Sequence, residues 1–264
     1  MAGESPRDLL EIASGLAEDA GRITLKYFQG RFDVDTKSDA SFVTTADREA
    51  EAFIRGAIES RFPGDGIIGE EFGELRPEAR RRWIIDPIDG TFSFVHGVPL
   101  YGVLIGVEED GEPLLGVIHV PVLGETTAAA HGEGCYWRGQ KAQVSRTARL
   151  GDALVSTTEM NLTGDPARAA ALNRILPQTG PARTWGDCYG YVLVATGRAD
   201  VMVDPAMHVW DCAALLPVIE EAGGRFTDWR GERTMELAGG RREMCIARCP
   251  YLTDIYPMAP SWPI

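Results

Sequence analysis

A chain of 264 residues, 44% apolar and 25% charged, is long enough to bury a sizeable core and too apolar for an intrinsically disordered segment. Its 39 acidic residues against 26 basic ones leave a formal charge of −13, which disfavours a nucleic-acid partner, because such proteins carry a basic face toward phosphates. There is no run of about 18 apolar residues, and the start of the chain lacks the basic and apolar stretches of a secretory signal, so a cytoplasmic protein with no membrane span is expected.

Hydrophobic spacing gives the elements in chain order. Leu9, Ile12, Leu16, Ile23 and Tyr27 recur at helical intervals and predict a helix over 6–28. Ala46, Ala50, Phe53, Ile54 and Ile58 predict a second over 45–62, capped by Thr44 or Thr45 and stopped by Pro63-Gly64. Residues 66–69 read as a short strand running into Glu70-Glu71, and 83–86 as a buried strand ending on Asp86. A hairpin over 103–108 and 114–120 turns at Asp110-Gly111, and a strand at 126–130 continues the sheet. Beyond about residue 150 strands near 153–156, 183–184, 201–203 and 225–227 alternate with helices over 166–175, 188–196 and 209–222. The expected architecture is an α+β/α/β layered sandwich of two closely packed subdomains. Residues 1–150 form an α+β unit with most of the acidic motifs, and 151–264 an α/β unit, with the site between them.

Five cysteines, Cys135, Cys188, Cys212, Cys245 and Cys249, form no CxxC pair, and none is accompanied by a second Cys/His pair. Reduced thiols are expected rather than disulfides or a zinc site.

The segment Asp86-Pro87-Ile88-Asp89-Gly90-Thr91 carries the most chemistry. A strand ends in two carboxylates three residues apart, Gly90 allows a close bend, and Thr91 opens a short helix over 91–95 whose N-terminal N–H groups suit a phosphate. Magnesium and similar hard cations take oxygen ligands. Glu70-Glu71 and Asp211 offer further carboxylates, and clustered carboxylates repel unless a cation sits among them. Taken singly, each has a plainer reading: a solvated loop for Glu70-Glu71, a helix cap for Asp211, a common turn for Asp89-Gly90-Thr91. Only the set is specific.

Four motifs in order, Val43–Asp47, Ile68–Glu71, Trp83–Thr91 with Ser93–Gly97, and Trp210–Ala214 with Glu221–Gly224, resemble the inositol monophosphatase family, within the superfamily that includes fructose-1,6-bisphosphatase. The resemblance covers residues from about 10 to 250. It implies the family's layered sandwich, homodimers, and two or three magnesium ions, with manganese as the other candidate. It implies that Glu70, Asp86 and the Ile88 carbonyl hold one ion and Asp86, Asp89 and Asp211 a second, with Glu71 at the edge acting through water. Gly90 and Thr91 would meet the phosphate, and Thr91, Asp47 and Glu70 would serve the attacking water. The chain departs from the family at Phe42, Phe92 and Ser93, and none of these removes a ligand. With no Cys-x5-Arg loop, direct attack by water is expected rather than a cysteinyl-phosphate.

Within the family, Trp185-Gly186-Asp187-Cys188-Tyr189-Gly190-Tyr191, Asp204-Pro205 and Gly97–Tyr101 resemble the histidinol-phosphatase branch. The expected substrate is a small phosphate monoester, histidinol phosphate, on the histidine biosynthesis route; the alternative is inositol-1-phosphate or another small sugar or nucleotide phosphate. Asp187 and Asp204 would pair with the substrate ammonium, Trp185 or Tyr189 would pack on its ring, and Arg183 lies nearby. For Asp187 a helix-capping role stands beside the substrate role, and Tyr191 is expected in the core. His96, His119, His131 and His208 are read as structural or surface groups, as are Trp229, Trp262 and the tail from Pro257.

Overall fold

The computed structural model describes residues 4–30, 34–36, 42–160, 166–228, 231–233 and 243–252. The expectations for Trp229, Trp262 and the tail from Pro257 lie outside the described residues.

Helix α1 (Pro6–Leu25) starts at a capping box: Asp8 N–H donates to Ser5 Oγ at 3.2 Å and Ser5 N–H to Asp8 Oδ2 at 3.1 Å. It ends three residues before the expected 28, because the N–H groups of Lys26 and Tyr27 turn to the carbonyls three residues back and tighten the last turn. A ribbon of β1 (Val34–Thr36) and β2 (Phe42–Thr44) leads into α2 (Thr45–Arg61), capped by Thr44 as expected. Next come β3 (Gly66–Gly69), β4 (Gly73–Leu75), β5 (Arg81–Asp89), α3 (Thr91–Val95), β6 (Gly102–Glu109), β7 (Glu112–Val120), β8 (Glu125–Ala130), β9 (Gly134–Trp137) and β10 (Gln140–Lys141). The remainder is β11 (Val155–Thr157), α4 (Pro166–Ile175), β12 (Ala182–Arg183), α5 (Asp187–Ala195), β13 (Val201–Met207), α6 (Val209–Glu221), β14 (Arg225–Asp228) and β15 (Glu243–Arg248).

An eight-stranded sheet has the order β10-β9-β8-β7-β6-β5-β3-β4, antiparallel except between β3 and β5. A five-stranded sheet has the order β12-β11-β13-β15-β14, with β11 parallel to both its neighbours. One face of the large sheet buries Trp83, Ile85, Val103 and Val117 against Leu9, Ala13 and Ala17 of α1 and Ile54 and Ile58 of α2. Its other face buries Leu104 and Ile118 against Val192 of α5 and Leu215 and Leu216 of α6, and the same helices cover Met202 and Phe226 of the small sheet. Leu172 and Ile175 of α4 close the far side over Val201, Val203 and Ile246. The result is five layers, α/β/α/β/α, with α5 and α6 in the middle. Helix α6 comes close to the large sheet because β6 and β7 carry glycine there: a Cβ at Gly106 would lie 2.7 Å from the Ala213 Cβ, and one at Gly116 would collide with the Ala214 carbonyl.

Strand β15, between β13 and β14, was not foreseen, because its short apolar run is flanked by arginines and has no turn signal of its own. No helix among the described residues is long and apolar enough to cross a membrane.

Candidate metal and phosphate site

Asp86 and Asp89 are three residues apart, and in a regular strand such residues face opposite sides of the sheet. Here the pairing of β5 with β6 shifts register between them, an irregularity that re-aims the second carboxylate. As a result, carboxylate oxygens of Asp86, Asp89 and Asp211 lie within 4.8 Å of one another. Asp211 arrives from the first turn of α6, where it is not the cap itself: His208 takes that place, and its N–H donates to Asp211 Oδ2 at 2.6 Å. Asp86 carries hydrogen bonds to the side chains of Glu70 and Asp211.

Backbone donors hold these carboxylates in place. Ile88 N–H donates to Asp86 Oδ1 at 3.0 Å, and Cys188 N–H, in the first turn of α5, donates to Asp89 Oδ2. Gly90, with φ of 85°, turns the chain into α3, and the Thr91 hydroxyl donates to the Ile88 carbonyl at 3.0 Å. Thr91 and Ile88, expected in different roles at the site, are thereby in direct contact.

Burial pushes Asp86 well above the ordinary carboxylate range, and the charges of Glu70, Asp89 and Asp211 push it further. Asp89 is raised by burial and then by Asp187 and Asp211, and Asp211 is raised to about 7, chiefly by burial. The charges that raise Asp86 are those of three other carboxylates. Without a cation, the cluster must hold protons to persist. An all-oxygen donor set with this repulsion fits a hard divalent cation.

Asp47 sits in the first turn of α2. Its Oδ2 accepts from Thr44 N–H at 2.8 Å and from the Thr44 hydroxyl at 2.6 Å, while its buried Oδ1 has no hydrogen-bond partner. Burial raises Asp47 to about 7, with smaller contributions from the charges of Glu70 and Glu71. Glu71 is half-buried and belongs with Glu70 to the turn joining β3 to β4.

A cavity of about 440 Å³ is lined by Phe92, Ser93, His96, Val98, Leu100, Thr158, Glu159, Thr184, Gly186 and Asp187. Phe92 is 67% exposed and stacks on His96 with centroids 4.2 Å apart, so His96 belongs to the wall of this cavity. Asp187 is held at about 6: burial raises it, the hydrogen bond from Ser93 lowers it, and the charge of Glu159 raises it. The helix-capping reading of Asp187 does not hold: Gly186 is the cap residue, and Asp187 turns its side chain to Ser93 and to the backbone at Gly90.

The other expected substrate residues do not line this cavity. Asp204 is buried, accepts from the Tyr191 hydroxyl at 3.3 Å and is raised to about 8, chiefly by burial. Tyr191 is fully buried, as expected, while Tyr189 lies 5.8 Å from the Arg198 guanidinium. Trp185 is 40% exposed, and Arg183 is exposed and donates to the Ala182 carbonyl. Sequence reasoning missed Glu159. The signal was its place two residues past the end of β11, where a strand in parallel pairing presents its carboxyl end, the usual edge for ligands.

The inositol monophosphatase family matches residues 5–251 of the chain. The chain is 49% identical over 227 residues to the histidinol-phosphatase of Chlorobaculum parvum, covering 86% of this chain and 88% of that one. It is 39% identical to the histidinol-phosphatase of Mycobacterium tuberculosis, covering 85% and 88%. Among solved structures, an IMPase from Thermotoga maritima superposes with a TM-score of 0.84 at 33% identity, over 96% of each chain.

Proposed function

The chain belongs to the inositol monophosphatase family, and from that premise we propose that it is a divalent-metal-dependent phosphate monoester hydrolase acting on histidinol phosphate. The observation that carries this is the carboxylate cluster of Asp86, Asp89 and Asp211 beside a cavity bearing two more acids, Glu159 and Asp187.

In this reading Asp86, Asp89, Asp211, Glu70 and the Ile88 carbonyl hold the metal, with magnesium the leading candidate and Glu71 at the edge. When bound, a divalent cation supplies positive charge against the phosphate oxygens and lowers the pKa of water in its shell. Gly90 and Thr91 direct the N–H groups at the start of α3 to the phosphate. Thr91 and Asp47 orient the attacking water; the orphaned Asp47 Oδ1 is an acceptor in need of a donor. Water attacks phosphorus in line, the ester P–O bond breaks, and the leaving alcohol takes a proton.

The leaving group is assigned to the cavity. Histidinol carries an ammonium and an imidazole. Asp187 and Glu159 supply negative charge for the first, and the Phe92–His96 stack supplies a flat face for the second. The match to two histidinol-phosphatases supports the same substrate.

The test is phosphate release from histidinol phosphate, inositol-1-phosphate, fructose-1,6-bisphosphate and adenosine 3′,5′-bisphosphate, with Mg²⁺ and with EDTA. A kcat/KM preference for histidinol phosphate that EDTA abolishes supports the reading. Equal or better turnover of inositol-1-phosphate overturns the substrate and leaves the phosphatase standing.

A further inference from the structure

Glu51 lies one helical turn after Asp47 on the same side of α2, and its side chain is fully buried. A carboxylate with no exposure is costly unless its oxygens are satisfied. Here they are satisfied by the turn that carries Glu70. Glu71 N–H donates to Glu51 Oε2 at 2.7 Å, and Phe72 N–H donates to Oε1 at 3.2 Å. Arg55, the next residue on that side of the helix, donates from Nη1 to Glu51 Oε1 at 3.0 Å and to the Gly73 carbonyl at 2.8 Å.

On its other side the turn is tied to β5, where Glu70 N–H donates to the Ile85 carbonyl at 3.2 Å. Glu70, Glu71 and Phe72 join Gly69 of β3 to Gly73 of β4, a three-residue strand exposed along most of its length. Phe72, the turn's only large apolar side chain, is half exposed, so apolar packing contributes little to holding the turn. Two backbone N–H groups donated into one charged carboxylate are strong, directional restraints. Their effect is to fix the backbone from which the Glu70 side chain reaches Asp86. Gly69 completes the fit, since a Cβ there would collide with the Glu51 carboxylate.

We propose that Glu51 is a positioning residue that clamps the Glu70–Phe72 turn to α2 and thereby sets the affinity of the carboxylate cluster for its divalent cation. The proposal rests on the reading of Glu70 as a metal ligand. Because Asp47 and Glu51 share one helix face, the clamp also fixes the distance between Asp47 and the Glu70 side of the site.

The experiment is direct Mn²⁺ and Mg²⁺ binding by calorimetry, together with metal-induced thermal shift, on the full chain and on Glu51→Gln. Glutamine keeps the size and the packing but replaces one acceptor oxygen with an N–H₂ group facing a backbone donor. The expected result is a folded variant whose metal affinity falls roughly 10–100-fold, the range for groups that orient metal ligands, with phosphatase kcat largely restored at saturating metal. A purely structural role would lower the melting temperature and leave metal affinity at the wild-type value, and that result overturns the proposal. If Glu51→Gln does not fold, Arg55→Met decides: weakened metal binding supports the clamp, and unchanged binding overturns it. Failure of the wild-type chain to bind either ion would instead overturn the metal reading on which the proposal stands.

Discussion

The Ser93 hydroxyl donates to Asp187 Oδ2 at 3.2 Å, joining α3 to the first turn of α5 across 94 residues of chain. Asp187 holds a left-handed φ of 51°, a region that aspartate enters more readily than most residues but that is uncommon in the first turn of a helix. A strained backbone that aims a carboxylate into a cavity is a feature of ligand sites. Asp187→Ala is expected to lower kcat/KM for histidinol phosphate by about 10–100-fold, the effect of losing a hydrogen bond to a charged group. Inositol-1-phosphate, whose leaving alcohol carries no cation, should lose far less. Ser93→Ala should cost only a few-fold on either substrate. Steady-state kinetics on both esters checks this, and an equal loss on the two would remove Asp187 from substrate selection.

Asp89→Asn should separate stability from function. Asparagine keeps the shape while removing one charge from a cluster in which Asp86, Asp89 and Asp211 repel. In EDTA the variant should therefore melt at a higher temperature than the wild type. Added Mg²⁺ should raise the wild-type melting temperature and leave the variant unmoved, and hydrolysis should fall by more than the roughly 10–100-fold expected of an outer residue. A thermal scan with and without metal, beside a phosphate-release assay, reads all three.

Asp204 gives a pH signature in the metal-free protein. Its folded pKa is raised to about 8, chiefly by burial, from an ordinary 3.8. A raised carboxyl pKa means that the unfolded chain releases its proton first as pH rises, so this group's contribution to stability is lost between about pH 4 and pH 8. Asp204→Asn has no proton to lose. Its metal-free stability should fall less over that window than the wild type's, with a gain at pH 8 of at least about 1 kcal/mol. Urea titrations at pH 5 and pH 8 in EDTA measure it, and identical slopes for the two proteins would rule it out.

Gly116→Ala tests the contact between the large sheet and α6. The added methyl would meet the Ala214 carbonyl and come within 2.8 Å of Pro217 Cγ. Overpacking of this kind costs about 1–3 kcal/mol. Because α6 also carries Asp211, metal affinity should fall along with stability, read by calorimetry and by chemical denaturation.

The helices and the hairpin were legible because each is written in local periodicity and punctuation. Thr44 caps α2, Asp110-Gly111 turns the hairpin with both φ values positive, and α3 runs over the expected 91–95. The carboxylates were legible as a set because Asp86 and Asp89 end a buried strand. What brings them to one place, the register shift opposite β6, is a property of pairing that one strand's sequence does not carry. Glu159 and Glu51 were hidden for a related reason. A glutamate after a strand or inside a helix is usually solvated, and only the tertiary fold gives Glu159 a cavity to line and Glu51 a pair of backbone donors. Asp204 shows the converse: its strand is covered by α5 and the buried side chain bonds Tyr191 and the cavity-lining Thr158, a setting that a sequence motif does not carry.

The middle helical layer carries Asp211 on α6, and on α5 both Asp187 and the N–H that holds Asp89. A sideways slip of that layer would displace the carboxylate cluster and the acid of the neighbouring cavity in one movement. On the proposed reading, a change of ester preference by helix displacement would disturb the carboxylate cluster as well. A new preference is left to single replacements at the exposed cavity wall, where Phe92 and Glu159 have freedom that the layered interior lacks.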